Sequence, residues 1–421
     1  MTPRLAVVGV PRTAHTLEES VLRAQLRGFE VVLVDTPAAI AAVPRRLGVR
    51  GTPVETMDAP TVAAALRGGF SAPSEGPGAG ISTAPEGPGF SAPSEGPGAG
   101  ISTVVSFSEL HLITAARVRE LLGLPGGAPV VEQRTRDKAE TRRQLRAAGL
   151  SGVEFAVTDV PGLRATAERF TAPFVVKPVD LTGSIGVRVV RTGHDLDAVH
   201  AMHAAGPDAR RLLVESFIAG REYSVEGICV GGAFYLLAVT RKYTSGFPYC
   251  YEVAHLLPDP IREQDARIET YLRRVTSALG IDTAPVHAEV MVSPGGVELV
   301  EIHTRFGGDL IPLLLDRAFD IHVFDLFYAA LTADVVPVVP PARRTCAVLF
   351  LEEKQTAAGL TLPPPLPGVE YQVRLHPSGD PQTLAGLPIV NRRTGYVLIE
   401  ADRLEDAENA LHTLRRDTET K

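Results

Sequence analysis

Residues His287 to Asp309 read HAEVMVSPGGVELVEIHTRFGGD. Two runs that alternate apolar and polar side chains flank Ser293-Pro294-Gly295-Gly296, a pattern that predicts a β-hairpin. With the turn centred on Gly295, Glu289 falls opposite Glu301 and His287 opposite His303, so all four share one face. Ala288, Val290, Val292, Val300 and Ile302 take the other face, which the two-residue period assigns to the core. Carboxylates opposed across a ladder, with Cβ atoms roughly 4.5 to 5.5 Å apart, repel one another. A hard divalent cation removes that repulsion, because Mg²⁺ takes oxygen ligands at about 2.0 to 2.1 Å and is commonly held by one or two carboxylates plus phosphates. Glu289 and Glu301 are therefore candidate metal ligands, the alternative being a sheet face with solvated charges. The following Arg305-Phe306-Gly307-Gly308-Asp309 favours the metal reading, since it sets a fixed cation beside two glycines that allow close backbone approach to an anion.

The chain around this hairpin has 421 residues, enough for two or three domains, with 45% hydrophobic and 22% charged content in the range of ordinary globular proteins. A net charge of -7 argues against a general nucleic-acid binder. Three cysteines, Cys229, Cys250 and Cys346, lack metal spacing and do not make a disulfide framework, which points to a reducing cytoplasm. The start, MTPRLAVVGV, reads as a first strand rather than a signal peptide, and no apolar run is long enough for a membrane span.

From the N-terminus, an apolar run (Leu5 to Val10), a helical pattern (Leu17 to Leu26) and a second buried run (Glu30 to Asp35) predict a βαβ unit. No G-x-G-x-x-G follows the first strand, so the unit reads as Rossmann-like without a nicotinamide site. The segment GFSAPSEGPGAGIST occurs at 69 to 83 and again at 89 to 103; its Gly/Pro/Ser composition buries too little apolar surface to offset ordering entropy, which predicts a disordered loop expansion. A strand at 103 to 107 and a helix from about Leu110 to Leu122 follow. A basic helix from about Thr135 to Ala148, closed by Gly149, carries Lys138 in its first turn, where a cation is either a surface charge or aimed at an anion. Lys177 lies in an apolar strand (Phe174 to Pro178), followed by the small-residue turn DLTGSIGV, whose amides are suited to cradling phosphates. Leu212 to Phe217 and the alternating strand from Glu222 to Gly227 place Glu215 and Glu222 where they could bond an adenine amino group and ribose hydroxyls, or simply face solvent.

Taken in order, these motifs resemble the ATP-grasp superfamily over roughly residues 1 to 335. The resemblance implies an α/β and α+β chain: a Rossmann-like preATP-grasp domain (1–125, including the 69–103 repeat), an ATP-grasp domain (126–335) with ATP between two α+β subdomains, and a small C-terminal α+β lobe (336–421). By the same resemblance Lys138, Lys177, Gly183 and Ser184 contact phosphates, and Glu215, Ser216, Phe217 and Ile218 lie against adenine. Glu222 binds ribose, Glu289, Glu301 and His303 hold Mg²⁺, with Mn²⁺ as a substitute, and Arg305 holds the transferring phosphate or an oxyanion. Many members have Asn where this chain has His303, and an imidazole is the poorer partner for a hard cation. RTCAVLFLE (344–352), GVEYQVRL and GYVLIEADRLEDAENALHTL resemble the C-terminal part of L-amino acid ligases and related carboxylate-amine ligases. In those enzymes a segment similar to YEVAHLLP makes His255 face the reacting carboxylate. The implied activity is ATP-dependent amide or peptide bond formation through an acylphosphate, with small-molecule carboxylate and amine substrates, no nucleic acid or membrane partner, and a homodimer left open. A bicarbonate-using ATP-grasp carboxylase and a non-catalytic ATP-binding protein are the rival readings.

Overall fold

A computed structural model describes residues 2–419 apart from 12, 69–99, 207–209, 248, 260, 334, 353–359, 361, 365 and 376–392. The chain forms two compact units, residues 1–12 with 24–129, and residues 13–23 with 130–421. Among the described residues no helix is long and apolar enough to cross a membrane.

The first unit is built on β1 (Arg4–Val8), α1 (Ala14–Leu26, whose first residues belong to the second unit), β2 (Glu30–Asp35), α2 (Pro37–Ala41), β3 (Arg50–Pro53), α3 (Ala59–Arg67), β4 (Ile101–Val105) and α4 (Leu112–Leu122). Its strands make a parallel sheet in the order β3-β2-β1-β4, as continuous apolar strands flanked by helices dictate. One expectation changes here. The repeat was expected to be disordered through residue 103, but Ile101, Ser102 and Thr103 belong to β4, where Ile101 is buried and the strand pairs with β1. The run Ile-Ser-Thr-Val-Val supplies β-branched side chains that fit a covered strand. Residues 69–99 lie outside the described residues.

The second unit contains α5 (Pro129–Arg136), α6 (Lys138–Ala147), β5 (Phe155–Thr158), α7 (Leu163–Ala167), β6 (Phe174–Pro178), β7 (Arg188–Val190), α8 (Gly193–Ala204) and β8 (Leu212–Ser216). It continues through β9 (Arg221–Val230), β10 (Ala233–Thr244), β11 (Glu252–Leu257), α9 (Arg262–Leu279), β12 (Ala284–Ser293), β13 (Gly296–His303), α10 (Ile311–Phe319) and α11 (Val323–Ala333), and ends with β14 (Thr345–Glu352), β15 (Val369–Leu375), β16 (Arg393–Ala401) and α12 (Leu404–Glu419). The basic segment expected as one helix is two. Asp137 ends α5 and caps α6, its carboxylate accepting from the amides of Ala139 and Glu140, and Gly149 closes α6 at a left-handed φ of 65°. Lys138 is thereby the first residue of α6.

Two sheets organise this unit: β5-β8-β6-β7, and an eight-stranded sheet in the order β13-β12-β9-β10-β11-β14-β16-β15. The pairings within both are antiparallel. Pairing of β11 with β14 carries the second sheet across the boundary expected near residue 335, so the C-terminal strands extend the sheet that holds the hairpin. Val225, Ile268, Leu272, Val275, Val286, Ala288 and Ile302 form the core between that sheet and α9.

Candidate active site

The hairpin is formed by β12 and β13, with Glu289 opposite Glu301 and His287 opposite His303. The expected register is reached by an unexpected route. Ser293 pairs with Gly296, so the turn is Pro294-Gly295, one residue tighter than a loop centred on Gly295, and an irregularity after Glu289 restores the offset. Such a bulge leaves one residue unpaired. Leu299, not Val300, consequently takes the core position on β13, fully buried while Val300 is half-buried.

Each carboxylate has its own cation. The Lys138 ammonium lies 3.0 Å from Glu301 and also donates to the carbonyl of Leu181 at 2.6 Å. His303 Nε2 is 2.6 Å from the same Glu301 oxygen. Burial opposes ionisation of Glu301, but Lys138 and His303 outweigh it and hold the carboxyl well below its ordinary range. Lys242 and His287 do the same for Glu289.

Lys242, on β10, is a site residue that sequence reasoning missed. Its buried ammonium contacts Glu222 at 2.7 Å, Glu289 at 2.7 Å and Glu252 at 2.9 Å. Burial works against its charge, yet the three carboxylates raise its pKa well above the ordinary lysine value. Burial, reinforced by the Glu289 and Glu252 charges, pushes Glu222 up against the pull of Lys242. The available signal was slight: Lys242 stands at the polar end of the strand AFYLLAVTRKYT, and only burial, where an ammonium needs anions, sets it apart.

On the other sheet, Lys177 and Glu215 sit on the neighbouring strands β6 and β8. The Lys177 ammonium is 2.6 Å from Glu215, and Arg142 of α6 donates to the second Glu215 oxygen at 2.8 Å and to the Leu299 carbonyl at 2.6 Å. All three side chains are 5% exposed or less. Burial and the neighbouring Arg142 and Lys138 charges lower the pKa of Lys177 despite Glu215. Arg142 was also missed, although its spacing of three from both Ala139 and Leu145 puts it on the buried stripe of α6. The Glu215 side chain expected near adenine is thus committed to two cations. Ser216 accepts from the Glu154 amide at 3.2 Å, and the Phe217 ring lies 5.8 Å from that of Phe247; Ile218 follows directly. Between β6 and β7, Gly183, Ser184 and Gly186 have φ of 61°, 56° and 75°, a left-handed run of the kind that turns successive amides toward an anion.

In the eight-stranded sheet His255 of β11, the strand beside β10, is 1% exposed, and neither ring nitrogen has a hydrogen-bond partner among the described residues. Its ring meets Phe350 edge-on at 5.6 Å, and Asp309 lies 3.8 Å from its Nε2. Arg393 of β16 holds Asp309 at 2.7 Å and stacks 3.6 Å over Phe350; no motif in the sequence pointed to it. Burial opposes the Asp309 charge, but Arg393 and His255 hold its carboxyl far below the ordinary range. Asp309 and Leu310 both adopt left-handed φ, 52° and 64°, a strain of about 1 to 3 kcal/mol each that recurs at functional loops. The loop is anchored by the fully buried Glu226, which accepts from the Gly307 amide at 2.8 Å and pairs with His287. Burial disfavours the charged imidazole, yet Glu226 and Glu289 raise the pKa of His287 to about 9. Arg305 donates to the Phe306 carbonyl at 2.8 Å.

Residues 170–312 match the family model of the ATP-grasp domain. Among solved structures the chain is similar to the L-amino acid ligase from Bacillus licheniformis, with a TM-score of 0.71 over 98% of this chain and 97% of that one at 18% identity, a likeness of fold. Among curated proteins it is similar to dapdiamide A synthase of Enterobacter agglomerans, 32% identical over 159 residues, covering 34% of this chain and 36% of the relative. It is also similar to alanine–anticapsin ligase of Bacillus subtilis (strain 168), 26% identical over 265 residues, covering 55% of this chain and 53% of the relative. The chain thus spans between about a third and about half of the length of these curated relatives.

Proposed function

We propose that the protein is an ATP-dependent, ADP-forming carboxylate-amine ligase that makes an amide or peptide bond, with an amino acid among its substrates. The observation that carries this reading is the in-register Glu289/Glu301 pair with Lys138 and Lys177 gathered in the same unit. Ionised oxygen donors facing one another fit a divalent cation such as Mg²⁺, and Glu289 and Glu301 would hold it. His303, bonded through Nε2 to Glu301, supports a role in orienting that carboxylate more than one as a ligand. When bound, the cation neutralises charge on the ATP phosphates.

In the first step a substrate carboxylate oxygen bonds to the γ-phosphorus and the bond to the β,γ-bridging oxygen breaks, ADP leaving with the electron pair. Lys138, Lys177 and the 183–186 amides position the phosphates and offset their charge. In the second step the amine nitrogen bonds to the acyl carbon of the acylphosphate. The tetrahedral oxyanion collapses with loss of phosphate, and the amine proton is released. Arg305 and the Gly307 and Gly308 region are the cationic and amide groups suited to that oxyanion, and His255, buried with open ring nitrogens, is suited to face the reacting carboxylate. The names of the alanine–anticapsin ligase and L-amino acid ligase relatives support amino acid substrates.

The test is mass spectrometry of nucleotide and organic products after incubating the full chain with ATP, Mg²⁺ and a pool of amino acids. ADP together with an amide or dipeptide is expected, and only when both substrates are present. Formation of AMP, or ADP release that depends on bicarbonate alone, overturns the reading.

A further inference from the structure

A second cluster of ligating side chains lies in the same unit and shares no residue with the site above. His15 and Glu19 are four apart on α1, which sets them on one face of the helix. That face lies against the α10–α11 corner, where the Tyr328 hydroxyl donates to the buried Ser20 carbonyl at 2.9 Å. Asp316 comes from the last turn of α10. The chain reverses at Asp320, with φ of 55°, and the Ile321 amide returns to the Asp316 carbonyl at 3.2 Å. The Val323 amide then donates to Asp316 Oδ1 at 2.8 Å. This leaves Oδ2 of a side chain only 9% exposed without a hydrogen bond among the described residues, as is Nε2 of His15. The two atoms are 3.4 Å apart, and His322 Nδ1 stands 3.3 Å from Glu19 Oε2. The donor atoms of Glu19, Asp316 and His322 all lie within 4.8 Å of one another.

We infer that Glu19, Asp316 and His322 form a second metal site, one for a zinc-class transition ion, with His15 against Asp316 at its margin. A tetrahedron with bonds of about 2.0 to 2.1 Å has edges of about 3.3 to 3.4 Å. The His322–Glu19 separation of 3.3 Å falls at that value, which is too long for a good hydrogen bond and suited to donors sharing a central ion. An imidazole with two carboxylates selects a borderline ion over Mg²⁺, which prefers an all-oxygen shell, and leaves the fourth position to solvent, as in three-ligand zinc sites. The Val323 amide fixes the Asp316 carboxylate from behind, as an outer shell does. Arg23, whose Nε lies 2.9 Å from Glu19 Oε2, shares that oxygen with the ion, since a carboxylate oxygen has a second lone pair to offer. His322, 49% exposed, gives the ion its way in. The bound ion ties α1 to the helix pair that follows directly on the Arg305–Asp309 loop.

The experiment strips the full chain with a chelator and titrates it with Zn²⁺ in excess Mg²⁺, which keeps Glu289 and Glu301 saturated, reading uptake by calorimetry and thermal midpoint. Co²⁺ reports coordination geometry through its visible bands. One Zn²⁺ per chain is expected, with intense four-coordinate Co²⁺ bands. Both should survive in Glu301→Gln, whereas His322→Ala and Glu19→Gln should weaken Zn²⁺ binding on the order of 100-fold and leave Mg²⁺-dependent ADP release unchanged. No Zn²⁺ uptake by the unsubstituted chain, equal uptake in all four proteins, or loss of uptake in Glu301→Gln overturns the assignment. A fall in thermal midpoint in the two variants that is the same with and without Zn²⁺ would mark the cluster as ordinary ion pairs and also overturn it.

Discussion

Glu215 shows how a single buried charge is maintained. Burial alone raises a carboxylate pKa, but Arg142 and Lys177 bring this one down to about 2. A folded value below the ordinary 4.5 means that its stabilisation is fully present above about pH 4.5 and is lost as pH falls toward about 2. Glu215→Gln leaves two buried cations short of a counter-charge and is expected to cost about 3 to 5 kcal/mol at neutral pH. In urea denaturation the gap between the two proteins should close between pH 4.5 and 2; a gap that stays constant across that window refutes the account. Glu301→Gln is a different case, because its carboxylate sits at the candidate metal face. The fold should persist, while ADP release falls on the order of 100-fold and is not recovered at ordinary Mg²⁺ levels. Full turnover in that variant removes the metal role of the hairpin.

The β12–β13 hairpin and the loop that leaves it act together. Their junction depends on Gly307, where an added Cβ would lie 2.8 Å from both Glu226 Oε1 and His287 Nδ1 and 2.9 Å from Ile311 Cδ1. Those neighbours are themselves pinned, Glu226 by the Gly307 amide and His287, and Ile311 by the core at the start of α10. Gly307→Ala is therefore expected to destabilise by about 1 to 3 kcal/mol, as overpacking does, and to lower turnover by shifting Arg305 and Asp309. Thermal unfolding and ADP release measured together check this; unchanged turnover would show that the loop's position is immaterial to the chemistry. α6 serves two partners through adjacent turns: Lys138, first in the helix, reaches Glu301, and Arg142 spans from Glu215 on one sheet to the Leu299 carbonyl on the other.

For the whole molecule, the repeat is expected to be separable from the chemistry. Its second copy ends inside β4, so a replacement must stop before Gly100 and leave Ile101 to Val105 intact. Exchanging residues 69–99 for a short Gly/Ser linker is expected to keep both thermal midpoint and ADP release, since a twofold change in loop length alters closure entropy by only about 0.6 kcal/mol. A large fall in either would assign that segment a structural or catalytic part. At the other end, Arg393 brings the C-terminal strands into the site through Asp309, so removal of β16 should abolish turnover as well as unfold the edge of the sheet.

Side-chain alternation was enough to put His287, Glu289, Glu301 and His303 on one face, because a strand's period of two ties facing to spacing. Apolar runs around a helical pattern yielded the N-terminal βαβ unit, and Lys138 in a helix's first turn and Lys177 in an apolar strand stood out as cations in unusual places. The bulge that moved Leu299 into the core was invisible to the alternation, since one unpaired residue shifts every later position without changing composition. The same holds for Lys242 among Glu222, Glu252 and Glu289, for Arg142 with Glu215, and for Arg393 with Asp309. Local sequence sets which way a side chain faces on its own element, but a counter-charge from a distant part of the chain is assigned only when folding brings the two strands or helices together.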